Sequence, residues 1–108
     1  MDTCDLARFV DAQAASYAQA LFELAAGKKH SHWMWFVFPQ FDGLGASATS
    51  RRYAIKSLSE ARAYLRHPVL GSRLEECTAI VNRLEGLSAG QVFGSPDDMK
   101  FRSSMTLF

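Results

Sequence analysis

The run His30-Ser-His-Trp-Met-Trp-Phe-Val-Phe-Pro-Gln40 sets six consecutive apolar residues, Trp33 to Phe38, between a basic entry (Lys28, Lys29, His30) and a Pro-Gln stop. Five aromatic rings fall between Trp33 and Phe41, and each large ring buries roughly 150–250 Å². The run is too short to span a bilayer, which takes about 20 apolar residues. A segment this apolar on all sides is covered on every face, so Trp33, Trp35, Phe36 and Phe38 are predicted to be mostly buried at the centre of a core. Trp, Phe and Val favour a strand, and periodicity does not separate a buried strand from a buried helix. Two points favour a short helix: Ser31 is a good N-cap, and no second strand-like run is present to pair with it. Pro39 pushes Phe38 out of helical geometry and ends the element.

On the N-terminal side, Leu6, Phe9, Val10, Tyr17, Leu21 and Leu24 recur at helical spacings with Ala-rich filler between them. Thr3 or Asp5 is the expected cap, and Gly27 suits the left-handed residue just past the helix end. Gln13 lies on the apolar stripe, which makes it an edge position or part of a site. On the C-terminal side, Phe41 to Ser50 reads as the longest loop. Its Gly-Leu-Gly is no phosphate loop, because no strand precedes it and no Gly-Lys-Ser/Thr follows. A short segment around Tyr53 precedes a helix capped by Ser57 or Ser59 and running to Arg66. Pro68 is expected to open the next helix, with the stripe Leu70, Leu74, Cys77, Val81 and Leu84 ended by Gly86. Ser88 to Phe93 reads as one helical turn. Ser95-Pro-Asp-Asp98 reads as a helix start with Ser95 as N-cap and Pro96 first. The expected fold is therefore all-α, one domain over residues 1–108 with about five or six helices around Trp33–Phe38.

Composition bounds the function. The 108 residues, 48 % hydrophobic and 21 % charged, suffice for one core. A formal net charge of +1 leaves no electrostatic footprint for duplex nucleic acid or an anionic membrane. Cys4 and Cys77 make neither a disulfide framework nor a zinc spacing. The acidic opening, Met1-Asp-Thr-Cys-Asp5, is unlike a signal peptide, and the expected location is cytoplasmic.

Several long motifs stand together: Gly27 to Gln40, Gly43-Leu44-Gly45, Arg52-Tyr53-Ala54-Ile55, His67-Pro68-Val69-Leu70-Gly71 and Asp98 to Phe108. In these the chain, from about Asp5 to its last residue, resembles the small bacterial proteins grouped as DUF1810, sometimes mislabelled calpastatins. The resemblance implies a mainly α-helical single domain of unassigned activity. Members of that family run on past the Ser-Ser-Met-Thr-Leu-Phe motif into one more helical segment, so it also implies a C-terminally short form.

The candidate site residues come from the two densest polar–apolar mixtures and the segment between them. Lys100 and Ser104 are four apart on one helix face with Ser103 beside them, a cation plus hydroxyl donors suited to phosphate; the plainer reading is a solvated face. His32, Trp33 and Gln40 border the apolar run. His32 is a candidate acid or base, or a hydrogen-bonded structural residue. Trp33 and Trp35 are core, or one of them lines a pocket as a stacking surface. Arg52, Tyr53 and Arg102 add charge and a ring, and Lys100 and Arg102 are expected to approach the His32–Gln40 segment. His30 and His32 do not have metal spacing, and no cofactor is implied. The first reading is a pocket for a phosphorylated or nucleotide-like small molecule. A loose similarity of motif style to the NADAR proteins adds a nucleotide-sugar (ADP-ribose-type) hydrolase as an alternative. The other reading is an interaction module forming a homodimer through the apolar helix Met99–Phe108; nucleic acid is disfavoured.

Overall fold

In a computed structural model, which describes residues 5–44, 47–84 and 86–108, the described residues form seven helices and no strand. They are α1 (Ala7–Ala25), α2 (Met34–Val37), α3 (Ala48–Tyr53), α4 (Leu58–Arg66), α5 (Leu70–Arg83), α6 (Ala89–Phe93) and α7 (Asp97–Leu107). The central run is thus a single helical turn, and Phe38 leaves helical geometry before Pro39. The seven helices exceed the expected five or six because α3, capped by the Ser47 hydroxyl, begins at Ala48 inside the stretch Phe41–Ser50 expected to be a loop.

α2 sits where α1, α3 and α7 meet. Trp33, Phe36 and Phe38 are buried and Trp35 is half-buried. Phe38 meets the rings of Phe93 and Phe101 edge-on at 5.8 and 5.1 Å, and Phe93 stacks on Phe101 at 4.7 Å, joining α2, α6 and α7. Gln13 is neither an edge residue nor a site residue. Its amide donates to the Phe36 carbonyl at 2.6 Å and to the Tyr64 hydroxyl at 3.2 Å, tying α1 to α2 and α4. Burial holds the Tyr64 phenol well above its ordinary range. Cys77, the buried free cysteine of α5, has its thiol pushed up to about 11 by burial, which keeps it unreactive.

Several caps differ from the sequence expectation. α1 starts at Leu6 with no side-chain cap, so Asp5 does not fill that role; Thr3, with Cys4 and Gly45, lies outside the described residues. Ser31 does not cap α2, whose N-cap is Trp33, because its hydroxyl and N–H both turn to Glu23. Ser57, not Ser59, caps α4. Pro68 stands before α5 rather than in it, and the ring Nδ1 of His67 accepts from the N–H groups of Val69 and Leu70 at 3.1 and 3.2 Å. α7 begins after Pro96, and Ser95 does not cap it. Gly27 adopts φ +80° as expected. Gly71 answers a different need: a Cβ there would lie 2.1 Å from the Leu65 carbonyl oxygen, so only glycine lets α5 start this close to α4.

A parallel bridge between Phe41 and Ile55 closes the loop after α2. Nearby, Arg8 grips Glu60 with two bonds of 3.1 Å and also donates to the Ala54 and Arg52 carbonyls at 2.9 and 2.8 Å. This pair locks α1 to the chain between α3 and α4. No helix of the described residues is long and apolar enough to cross a membrane.

Candidate site beside Trp35 and Lys100

The site is built from Glu23, an acid in the last turn of α1. That is the negative end of the helix, where a carboxylate is disfavoured. It is 3 % exposed, and its oxygens collect five donors: the N–H groups of His30 (2.7 Å) and Ser31 (2.9 Å), the Ser31 hydroxyl (2.6 Å), the Trp33 indole (3.0 Å) and the Gln19 amide (2.8 Å). Burial pushes this carboxyl upward, but the hydrogen bonds from Ser31, His30 and Gln19 outweigh it and hold the group well below the usual carboxylate range. Glu23 therefore stays ionised and freezes the turn that delivers α2.

That turn presents two tryptophans in different ways. Trp33 is in the core, anchored through its N–H, with the Lys29 ammonium 5.1 Å from its ring. Trp35 is half-buried, with the Lys100 ammonium 4.8 Å from its ring and the His32 ring 6.4 Å away. Its buried indole N–H has no hydrogen-bond partner among the described residues. Asp97, in the first turn of α7, joins the two lysines, at 2.8 Å from Lys29 and 3.5 Å from Lys100. Two ammonium groups thus share one carboxylate, and the looser contact belongs to Lys100. Beside it a cleft of about 240 Å³ is lined by Gln40, Leu44, Pro96, Met99, Lys100 and Ser103. Leu44 and Ser103 also line a second hollow of about 500 Å³, whose wall includes Phe41, Leu58, Arg102 and Leu107.

The structure brings Gln40, Lys100 and Ser103 together, with His32 reached through Trp35. Arg102 is exposed and faces the second hollow. Ser104 is fully buried with an unpartnered hydroxyl, so it is Ser103, three residues from Lys100, that shares its cleft. Trp33 is no pocket wall. Tyr53 packs between the rings of Phe9 (6.0 Å) and Phe36 (5.3 Å), and exposed Arg52 lies 5.5 Å from the Tyr53 ring, so both belong to the α1–α3 packing. Sequence reasoning missed Glu23, Lys29 and Asp97, and left open which of Trp33 and Trp35 has the outward ring, which is Trp35. The one signal for Glu23 was an acid in the last turn of a helix that is followed by two lysines. Among the described residues no three His, Cys, Asp or Glu side chains gather as metal ligands.

The expected dimer helix is also more internal than its composition suggests. Phe101 stacks in the core, Phe108 lies 5.3 Å from the Tyr64 ring, and the Met105 sulfur is 3.8 Å from the Thr78 hydroxyl. Met99 is the residue of α7 that stands out, at 64 % exposure.

The chain matches the family DUF1810, described as a protein of unknown function, over residues 3–108. It is similar to a solved structure, the conserved hypothetical protein Rv1873 from Mycobacterium tuberculosis, with 58 % identity and a TM-score of 0.97. The match covers 99 % of this chain and 76 % of that one. No curated protein matches.

Proposed function

The chain belongs to the DUF1810 family of proteins of unknown function, so its own geometry must carry the reading, and we propose that it binds a small phosphorylated molecule in the Lys100 cleft. The observation behind this is the loosely held ammonium of Lys100, seated over Trp35 at the edge of a cleft with the amide of Gln40 and the hydroxyl of Ser103. An ammonium with neighbouring neutral donors suits a phosphate or carboxylate oxygen. Among the described residues neither hollow is lined by an acid or a histidine, so the nucleotide-sugar hydrolase has no candidate acid or base there. Calorimetric titration with inorganic phosphate, ribose 5-phosphate and AMP tests the reading. Binding of at least one, weakened tenfold or more by Lys100→Gln, is expected; silence with all three, or an indifferent variant, overturns it.

Self-association is the second reading. It is favoured by exposed Leu44 (60 %) and Met99 (64 %), which border the same cleft. Sedimentation of the wild type against Met99→Glu decides it, and a monomer at high micromolar concentration removes it.

A further inference from the structure

The cleft and the larger hollow meet at Leu44 and Ser103 and differ in chemistry. The cleft has an ammonium and two polar side chains. The hollow is walled by Phe41, Leu58 and Leu107, and its Thr106 hydroxyl is already donating to the Arg102 carbonyl at 2.9 Å. Lys100 lines the cleft and Arg102 the hollow, and among the described residues no acid lines either part, the nearest to Lys100 being its partner Asp97 at 3.5 Å. Phe41 and Leu58 expose 39 % and 64 % of their surface into this region without forming part of the core.

We infer that the two hollows are one bipartite site whose ligand is a soluble amphiphilic anion. Its phosphate or carboxylate head sits at Lys100 and Ser103, and an alkyl or aryl body lies along Phe41, Leu58 and Leu107. The inference rests on the anion-binding reading above and adds what the rest of the ligand must be. Charge sets the orientation: the Lys100 ammonium, with Gln40 and Ser103, is in the cleft, whereas the hollow has Phe41, Leu58 and Leu107 on its wall with Arg102 as its one charged lining residue among those described. A purely polar phosphate would leave that wall wet. A neutral apolar molecule would add nothing to the 3.5 Å contact with Asp97 and the Trp35 ring that hold Lys100. Each methylene laid into an apolar groove removes its surface from water, and with one side open it tightens binding about two- to fourfold.

The test compares inorganic phosphate, ethyl, butyl and hexyl phosphate, all below micelle-forming concentration, by calorimetry on the full chain. Hexyl phosphate is expected to bind at least tenfold more tightly than ethyl phosphate. Leu58→Gln, which removes apolar surface without adding a charge, should cut the hexyl-to-ethyl affinity ratio to within about threefold. Any change at the head group cancels in that ratio. The variant should unfold near the wild-type midpoint, since Leu58 is outside the core. Equal affinity for every chain length would overturn the bipartite site and leave the anion cleft standing. Failure of every probe to bind would overturn both. Sedimentation of the chain with phosphatidate vesicles separates a free ligand from a lipid surface: the chain is expected in the supernatant, and recruitment to vesicles counts against a soluble ligand.

Discussion

Glu23 and Glu60 are both buried acids, 3 % and 4 % exposed, and they are held in opposite ways. Glu60 faces Arg8 squarely and also accepts the Lys56 N–H at 2.8 Å, so its charge is cancelled inside the protein. Glu23 takes only neutral donors, and the nearby lysines turn to Asp97 instead. The Arg8 region is therefore closed on itself, a clamp between α1 and the α3–α4 linker. In the Glu23 region the two lysines share Asp97, and the more weakly held of them, Lys100, is at the cleft. A carboxylate met by dipoles rather than by a counter-ion shapes a loop without consuming the positive charge a site needs.

The largest expected effect lies at the closed pair. Arg8→Met strands Glu60 in the interior and should cost about 3–5 kcal/mol in urea unfolding. The double variant Arg8→Met/Glu60→Leu should recover most of that, because an apolar pair of similar volume removes both charges. A double variant no better than the single one would show that the carbonyl bonds to Ala54 and Arg52, not the charge pair, hold this region.

Glu23 should behave differently, having no single partner to remove with it. Glu23→Gln replaces an acceptor oxygen with a donor facing donors, at about 2–3 kcal/mol. The sign with pH follows from its lowered folded-state value. The stabilisation is complete above the ordinary carboxyl value of 4.5 and is lost as pH falls through the folded-state value. The gap between wild type and Glu23→Gln should thus be full at pH 7 and narrow as acid is added below about pH 4.5. A gap constant down to pH 3 would mean that packing, not ionisation, makes the difference.

His67 sharpens the same contrast at the turn between α4 and α5, since its ring nitrogen accepts two backbone N–H groups at the start of α5. His67→Ala should cost about 1 kcal/mol, the usual value of a helix cap, and His67→Asn should return part of it. Full stability in the alanine variant would show that the turn stands without the ring.

Much of this fold was legible in the residues, and the shortfall has physical causes. The stripes of α1 and α5 were plain because regular spacing survives any tertiary context, as at Leu70, Leu74 and Cys77. The central turn could be placed in the core because all of its residues are apolar. The caps are harder to read, because local preference ranks Ser31 and Pro68 without seeing their competitors: Glu23, eight residues back, takes the Ser31 hydroxyl, and the neighbouring His67 ring serves the start of α5 in place of Pro68. The site was half legible. Lys100, Gln40 and Ser103 were among the candidates. Ser104 was assigned outward because helical spacing alone does not say which face of an eleven-residue helix is buried when both carry large apolar side chains.

The smallest effect on folding should come from Lys100, and it separates the two regions most clearly. Its ammonium is held by a 3.5 Å contact to Asp97 and by the Trp35 ring, and its side chain remains 20 % exposed. A cation–π contact at such a site is worth about 0.5–1 kcal/mol, and a partly exposed ion pair adds little. Lys100→Gln should therefore unfold close to wild type while losing most phosphate binding. Arg8→Met, examined under conditions where it is still folded, should do the reverse: a large stability loss with binding within about threefold, because nothing in the Arg8 cluster borders the cleft. The asymmetry follows from where each cation's partners are. Arg8 has every visible bond directed into the fold, so its removal is felt there; Lys100 has a weak internal tie and an open side, so its removal is felt by whatever enters. If both variants lost stability and binding in proportion, the cleft would be reporting global unfolding, and the division between a closed clamp and an open site would not hold.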